Sequence, residues 1–189
     1  MTAGIDLTNQ FLIAMPGMVD QNFAGSVVYL CEHNDKGALG LVINKPIEIT
    51  LKNLFEKVEL PLERADLAAQ PVFFGGPVQT ERGFVLHEGQ GDDAYSSTLS
   101  IPGGLAMTTS KDVLEALADG AGPKKLLVTL GCSGWSPGQL EEEIGRNGWL
   151  TVDADPTIIF DTPVEQRYDR ALGLLGVDPR MLSGEAGHA

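Results

Sequence analysis

The chain has 189 residues, enough for one domain with a real core, and its 43% apolar and 21% charged residues sit near globular averages. Its 26 acids against 13 bases leave a formal net charge of −13, and Lys124-Lys125 are the only adjacent bases. Such a chain lacks the basic face on which direct nucleic-acid binding depends, and anionic membranes repel it. Two cysteines, Cys31 and Cys132, exclude a disulfide framework and a cysteine-based metal site, and no apolar run approaches the ~18 residues of a membrane helix.

In chain order, Met1–Gln10 carries Asp6 and no Lys or Arg, so it lacks the basic start of a signal peptide and points to the cytoplasm. Apolar β-rich runs predict strands at Phe11–Ala14, Ser26–Cys31 and Ala38–Ile43. Asn34-Asp35-Lys36-Gly37 reads as the hairpin turn between the last two. Behind Thr50 as a cap, Leu51, Leu54, Phe55 and Val58 repeat at helical spacing and predict a helix over Thr50–Val58. Strands follow at Val72–Phe74, Gly83–His87 and Leu105–Met107. Val113, Leu114 and Leu117 then predict a helix over Ser110–Ala118, with Thr109 or Ser110 as its cap.

A strand at Leu126–Leu130 leads into the Gly131–Gly134 segment, read as a tight turn. Ser136-Pro137-Gly138-Gln139 is a capping box with Pro at the first helical position and predicts a helix over Pro137–Arg146. Ile158–Phe160 reads as a strand. Thr162-Pro163-Val164-Glu165 is a second capping box, opening a helix over Pro163–Leu175 that Gly176 stops. Ser183–Ala189 is small and polar and reads as a flexible tail of a single domain spanning 1–189. Strands and helices do not alternate regularly, so the class is α+β and not a doubly wound sheet.

The chemistry-bearing residues are few. Gly131 and Gly134 permit tight backbone ahead of a helix start, where free N–H groups suit an anion; Glu141, Glu142 and Glu143 oppose one there, and a tight connection packed on Trp135 is the simpler reading. No Lys-Ser/Thr follows the glycines, so this is not a P-loop. Gly131-Cys132-Ser133-Gly134 is also not Gly-x-Ser-x-Gly, and a nucleophile there needs a base, for which His33 and His87 are the candidates, His188 lying in the tail. A Cys132 at a helix start would be the more reactive thiol, whereas Cys31, in the apolar run Val27-Val28-Tyr29-Leu30, is buried and inert. Cys31-x-His33 is too small a set for zinc. Asn44-Lys45-Pro46 closes a strand, and Lys45 with Arg82 and His87 is the set that would meet an anionic ligand; a solvated or paired lysine is the bland alternative.

Seven ordered segments carry a resemblance: Phe11-Leu-Ile-Ala-Met-Pro16, Ser26–Asn34, Gly40-Leu-Val-Ile-Asn-Lys-Pro46, Gly75-Gly-Pro-Val78, Glu81–His87, Leu130-Gly-Cys-Ser-Gly-Trp135 and Gly138-Gln-Leu-Glu141. On these the chain resembles the YqgE/AlgH family from Phe11 to about Leu182. The resemblance implies a single α+β domain whose bent, split, mixed sheet curls into a pseudo-barrel, to which the capping and spacing signals add about four helices. Members are often labelled transcriptional regulators, and the resemblance supplies no catalytic residues, metal or cofactor. This chain departs from the family at Cys132 and Ser133, where Tyr and Ala are common.

Three functions follow, in this order. The first is a non-catalytic binding or regulatory protein acting through a protein or small-molecule partner. The second is a direct transcriptional regulator. The third is a small-molecule enzyme with a pocket near Gly131–Trp135 and His87. The candidate ligand-binding residues are Asn44, Lys45, Arg82, His87, Gly131, Cys132, Gly134 and Trp135, with no catalytic or metal-binding residue assigned. Asn44–Pro46, Gly75–Pro77, Arg82–His87 and Gly131–Trp135 are expected to gather on one side, since loops on a rigid scaffold commonly carry function.

Overall fold

The computed structural model describes residues 6–16, 23–89 and 95–176, so the expected tail at Ser183–Ala189 and His188 lie outside the described residues. Ten strands are described: β1 (Gln10–Ala14), β2 (Val27–Asn34), β3 (Gly37–Val42), β4 (Pro46–Thr50), β5 (Pro71–Phe74), β6 (Val78–Glu88), β7 (Thr98–Ile101), β8 (Leu105–Thr108), β9 (Leu126–Trp135) and β10 (Trp149–Asp153). The helices are α1 (Leu51–Lys57), α2 (Ala65–Ala68), α3 (Asp112–Ala118), α4 (Gln139–Gly145), α5 (Pro156–Phe160) and α6 (Arg167–Gly173), the last preceded by a 3-10 turn at Val164–Gln166.

The strands form one curled sheet that divides at β9. One half runs β10-β1-β2-β3-β9 and is antiparallel throughout. The other runs β4-β5-β9-β6-β8-β7, where β5 lies parallel to β9. The first part of β9, Leu126–Leu130, pairs with β6, and its last residues, Ser133–Trp135, pair with β3. A single strand therefore stitches the halves together.

Side-chain alternation shows how β9 manages this. In the first part the odd-numbered Leu127 enters the inner core with Phe11, Tyr29, Leu41 and Leu86, while Leu126 and Val128 face the outer core under α1 and α3. After Gly131 the parity reverses: Cys132 faces the inner core, and Trp135 faces the outer core under α4. One residue out of phase flips every following side chain, which is what a bulge does. Gly131 supplies it at φ +81°, where a side chain is strained.

Gly75 and Gly76 cross β9 at the same point. A Cβ at Gly75 would stand 2.2 Å from the Gly131 carbonyl oxygen, and one at Gly131 would stand 2.4 Å from that of Gly76. The contact is backbone on backbone, closed by three hydrogen bonds. The Gly75 N–H donates to the Leu130 carbonyl at 3.0 Å, and the Gly75 carbonyl accepts from the Val42 N–H at 2.9 Å and the Ser133 hydroxyl at 3.0 Å.

The hairpin reading holds, with Asn34 opposite Gly37, and Thr50 caps α1 in a reciprocal box with Asn53. Four expectations are corrected. Ile158–Phe160 is helical, because Asp155 accepts from the Thr157 N–H and Pro156 starts the turn. The Ser136 box is half made: its N–H donates to Gln139 Oε1, but Gly138 at φ +79° is the cap and α4 starts at Gln139. The Thr162 hydroxyl donates back to the Thr157 carbonyl, so α6 begins later, at Arg167. Neither Thr109 nor Ser110 caps α3; Ser110 donates to Asp112 Oδ1 instead.

The crossing predicts a contrast between glycines. Gly131→Ala should destabilise the chain by about 3 kcal/mol or more, from strain and overlap together, or prevent folding. At Gly83, where an added Cβ meets nothing within 4 Å, the same change should stay within about 1 kcal/mol. Urea denaturation followed by circular dichroism checks both, and equal losses at the two positions would contradict the reading.

Candidate functional site

The sequence places its chemistry on four segments, and three of them meet at the crossing. The Lys45 carbonyl accepts from the Phe74 N–H at 2.8 Å, the Gly75-Gly76 backbone packs on Gly131–Ser133, and Val78 pairs with Cys132. Asn44 closes this corner from the other side: its Oδ1 accepts from the Val27 N–H at 2.9 Å and its Nδ2 donates to the Gly25 carbonyl at 2.9 Å. Their convergence makes a joint, because the glycines bring main chains into contact and leave no space between them.

Gly131, Cys132 and Gly134 lie inside β9, not in a turn before a helix. This removes the basis for an anion site at that helix start and for an activated Cys132. The Cys132 side chain is buried, and burial pushes its thiol up against a smaller downward pull from Arg82. Cys31 is buried beside it in the same core and is pushed up further, again by burial first. Both thiols are free.

His87 stands away from the joint. It pairs with Leu126 while Gly83 pairs with Leu130, about 13 Å further along β6. Its ring is buried, with Nδ1 2.7 Å from the Glu88 carbonyl and Nε2 2.8 Å from the Thr108 hydroxyl. A carbonyl only accepts, so Nδ1 carries the proton and Nε2 accepts from Thr108. The ring is thereby a neutral, fully committed bridge, and burial holds its pKa below the ordinary 6.5. His33, the other candidate base, is also buried: Nδ1 accepts from the Leu7 N–H at 3.0 Å, and Nε2 lies 3.3 Å from Glu141 Oε2.

Trp135 faces the outer core under α4. Its indole N–H and that of Trp149 both donate to Glu143 Oε1, at 3.0 and 2.9 Å, and Phe23 stacks on Trp135 and meets Trp149 edge-on. Glu143 thus fastens α4 across β9 and β10.

Arg82 is the candidate with an exposed side chain; Gly134 is exposed but has none, and Asn44 and Lys45 are half-buried. It belongs to an arch, Gln79–Arg82, which leaves the sheet between the Val78 and Gly83 pairings, with Gln79 at φ +49°. The arch borders a cleft of about 570 Å³. The guanidinium is oriented by Gln79 Oε1 at 3.3 Å and the Thr109 hydroxyl at 3.2 Å, and stands 6.0 Å from the Phe84 ring centre. Of the eight candidate residues, Arg82 is the one among the described residues lining this cleft.

Two groups escaped the sequence reading. The Gln79–Glu81 part of the arch follows from a register shift, which no local pattern announces. Arg167 did leave a signal: it precedes Ala171 by one helical turn on the buried face of α6, where a charge is unexpected. Among the described residues there is no cluster of three or more His, Cys, Asp or Glu side chains able to hold a metal ion.

A curled half-barrel sheet stitched at a glycine crossing, with α1, α3 and α4 outside it and α5 and α6 closing its inner core, defines a class of α+β domain already represented among solved structures. The AlgH protein of Pseudomonas aeruginosa is 49% identical, covers 100% of this chain and 99% of its own, and superposes with a TM-score of 0.79. A protein of Corynebacterium diphtheriae at 19% identity shares the fold, with a TM-score of 0.69 over 90% of this chain and 87% of its own. The AlgH-like family model matches residues 11–180, and a UPF0301 protein of Ralstonia nicotianae is 69% identical over 99% of this chain and 97% of its own length. The chain belongs to the AlgH-like family. No helix among the described residues is long and apolar enough to cross a membrane.

Two outcomes follow from this geometry. Native-state alkylation with mass mapping should label neither Cys31 nor Cys132 until the chain unfolds; fast labelling of Cys132 would contradict its burial. For His87, a depressed folded pKa means that the unfolded state takes up the proton first as pH falls. Its stabilising contribution is therefore present above about pH 6.5 and lost below it. The melting temperature should fall more between pH 7 and 5.5 in the wild type than in His87→Gln, and parallel slopes would contradict this.

Proposed function

We propose that the chain is a non-catalytic binding protein of the cytoplasm, regulatory in effect, that acts through a protein or small-molecule partner held at the Gln79–Arg82 arch. The observation that carries this reading is the exposed Arg82 guanidinium, oriented by Gln79 and Thr109 beside an open groove of about 570 Å³. On a chain of net charge −13, a fixed fork of N–H donors in a concavity favours a partner bearing a carboxylate or phosphate.

The groups that a nucleophilic mechanism would draw on have other work. The Ser133 hydroxyl donates to Gly75, the Cys132 thiol is buried, and both His87 nitrogens are bonded. That supports binding over catalysis. Two free, buried thiols suit a reducing compartment. The acidic charge counts against direct reading of DNA.

A thermal-shift screen against nucleotides, carboxylate metabolites and divalent metals, run on wild type and Arg82→Ala, tests the site. A ligand of this cleft should raise the wild-type melting temperature with concentration, by the equivalent of about 2.7 kcal/mol at a hundred times its Kd. The rise should vanish in Arg82→Ala. A hit retained by the variant moves the site elsewhere, and conversion of a hit to product, seen by NMR, contradicts the non-catalytic reading. Fluorescence anisotropy with labelled duplex DNA should show no saturable binding at micromolar protein; salt-sensitive submicromolar binding would return the direct regulator.

A further inference from the structure

Arg167, at the start of α6, is 6% exposed, yet no ion pair among the described residues includes it. The acid that bears on it electrostatically, Glu165, is itself exposed. The guanidinium has three protein partners among the described residues. Nε donates to the Thr162 carbonyl at 3.0 Å, Nη1 donates to the Ile43 carbonyl at 2.5 Å, and the plane lies 5.0 Å over the Phe73 ring centre. Nη2, with two further N–H donors, makes no hydrogen bond among the described residues and is not one of the fully buried atoms without a partner, so it keeps access to solvent. A buried cation without a counter-ion is a costly arrangement. Burial pulls its pKa down to about 10, which still leaves it charged at neutral pH.

Arg167 lines a cavity of about 260 Å³ whose walls are otherwise mostly apolar, with Phe73, Leu127, Ile159 and Val164 among them. The one acid on the wall, Asp161, is exposed and engaged by the Lys125 ammonium at 2.7 Å, so its charge is matched. The cavity thus offers one unmatched positive charge with planar donors, set among apolar side chains, in a space smaller than drug-sized sites.

We propose that this cavity binds a small monocarboxylate with an apolar body, of the size of an aromatic or short aliphatic acid. The carboxylate accepts from the Nη2 donors of Arg167, and the body lies against Phe73, Leu127 and Val164. The site is separate from the Arg82 cleft, with which it shares no lining residue among those described.

Titration of the full chain with benzoate, followed by two-dimensional proton–nitrogen NMR including arginine Nε–H signals, tests the proposal. Benzoate should move the Arg167 Nε–H and the amides of Phe73, Leu127 and Val164 saturably. Benzyl alcohol, which keeps the ring and lacks the charge, should bind about ten-fold more weakly, as loss of a charge-assisted pair implies. Inorganic phosphate, which has the charge but no apolar body, should also bind more weakly than benzoate. Arg167→Gln removes two backbone tethers and can fail to fold. Val164→Trp, at a half-buried position, fills the cavity instead; it should abolish the benzoate response while its spectrum stays dispersed, and Arg82→Ala should leave the response unchanged. The proposal is overturned if benzoate gives no saturable shift at these signals, if benzyl alcohol or phosphate binds as tightly, or if folded Val164→Trp binds benzoate as the wild type does. The comparison of the three probes needs no variant and decides the matter alone.

Discussion

The contact of Gly75-Gly76 with Gly131 is the constraint on which the rest of the molecule depends. Two main chains touch there with no side chain between them, and each glycine is needed because the other backbone occupies the place of its Cβ. The gain is geometric. β9 can change partners from β6 to β3 and reverse its inward and outward faces within one residue, so one strand serves both halves of the sheet. Without that reversal, Cys132 and Trp135 would exchange cores, and the outer face under α4 would lose its tryptophan.

The curl that follows creates the inner core, and α5 and α6 close it through Ile158, Ile159, Ala171 and Leu172. Arg167 reaches from α6 to the Ile43 carbonyl just past β3, and the Tyr168 hydroxyl donates to the Ala14 carbonyl at the end of β1. Polar tethers rather than apolar area alone thus fix the closing helices. The same economy appears at Glu143, where one carboxylate oxygen accepts from two indoles on different strands. Two N–H donors converging on one oxygen tie α4 to both strands at the junction with the sheet.

The sequence was legible where signals are local. Thr50 with its helical repeat and the Asn34–Gly37 turn fold as their residues require, because caps and tight turns are decided within four positions. It misled where a local pattern had two solutions. Ile158-Ile159-Phe160 is β-rich by composition, but Asp155-Pro156 immediately before it is a helix start, and a capped helix won. The glycines of Gly131–Gly134 were read as a turn because a bulge and a turn share the same residue preference, and only the partners of β9 tell them apart. The strands β4, β7 and β10 do alternate apolar and polar residues, but over only four or five positions, too few to stand out beside the longer apolar runs. Of the candidate site, Arg82 was visible as part of the basic set with Lys45 and His87, while its arch was not, since the shift between Val78 and Gly83 exists only against β9.

If the glycine crossing is the joint that holds both halves, it should open only when the whole domain opens. Native-state hydrogen exchange measures this directly at the Val42, Phe74 and Gly75 amides, which donate across the joint. Their opening free energies should equal the global unfolding free energy, and should track it as denaturant is added. Exchange of these amides through a smaller local opening, while the central amides of β2 and β9 remain protected, would show that the halves stand without the joint and would contradict the account.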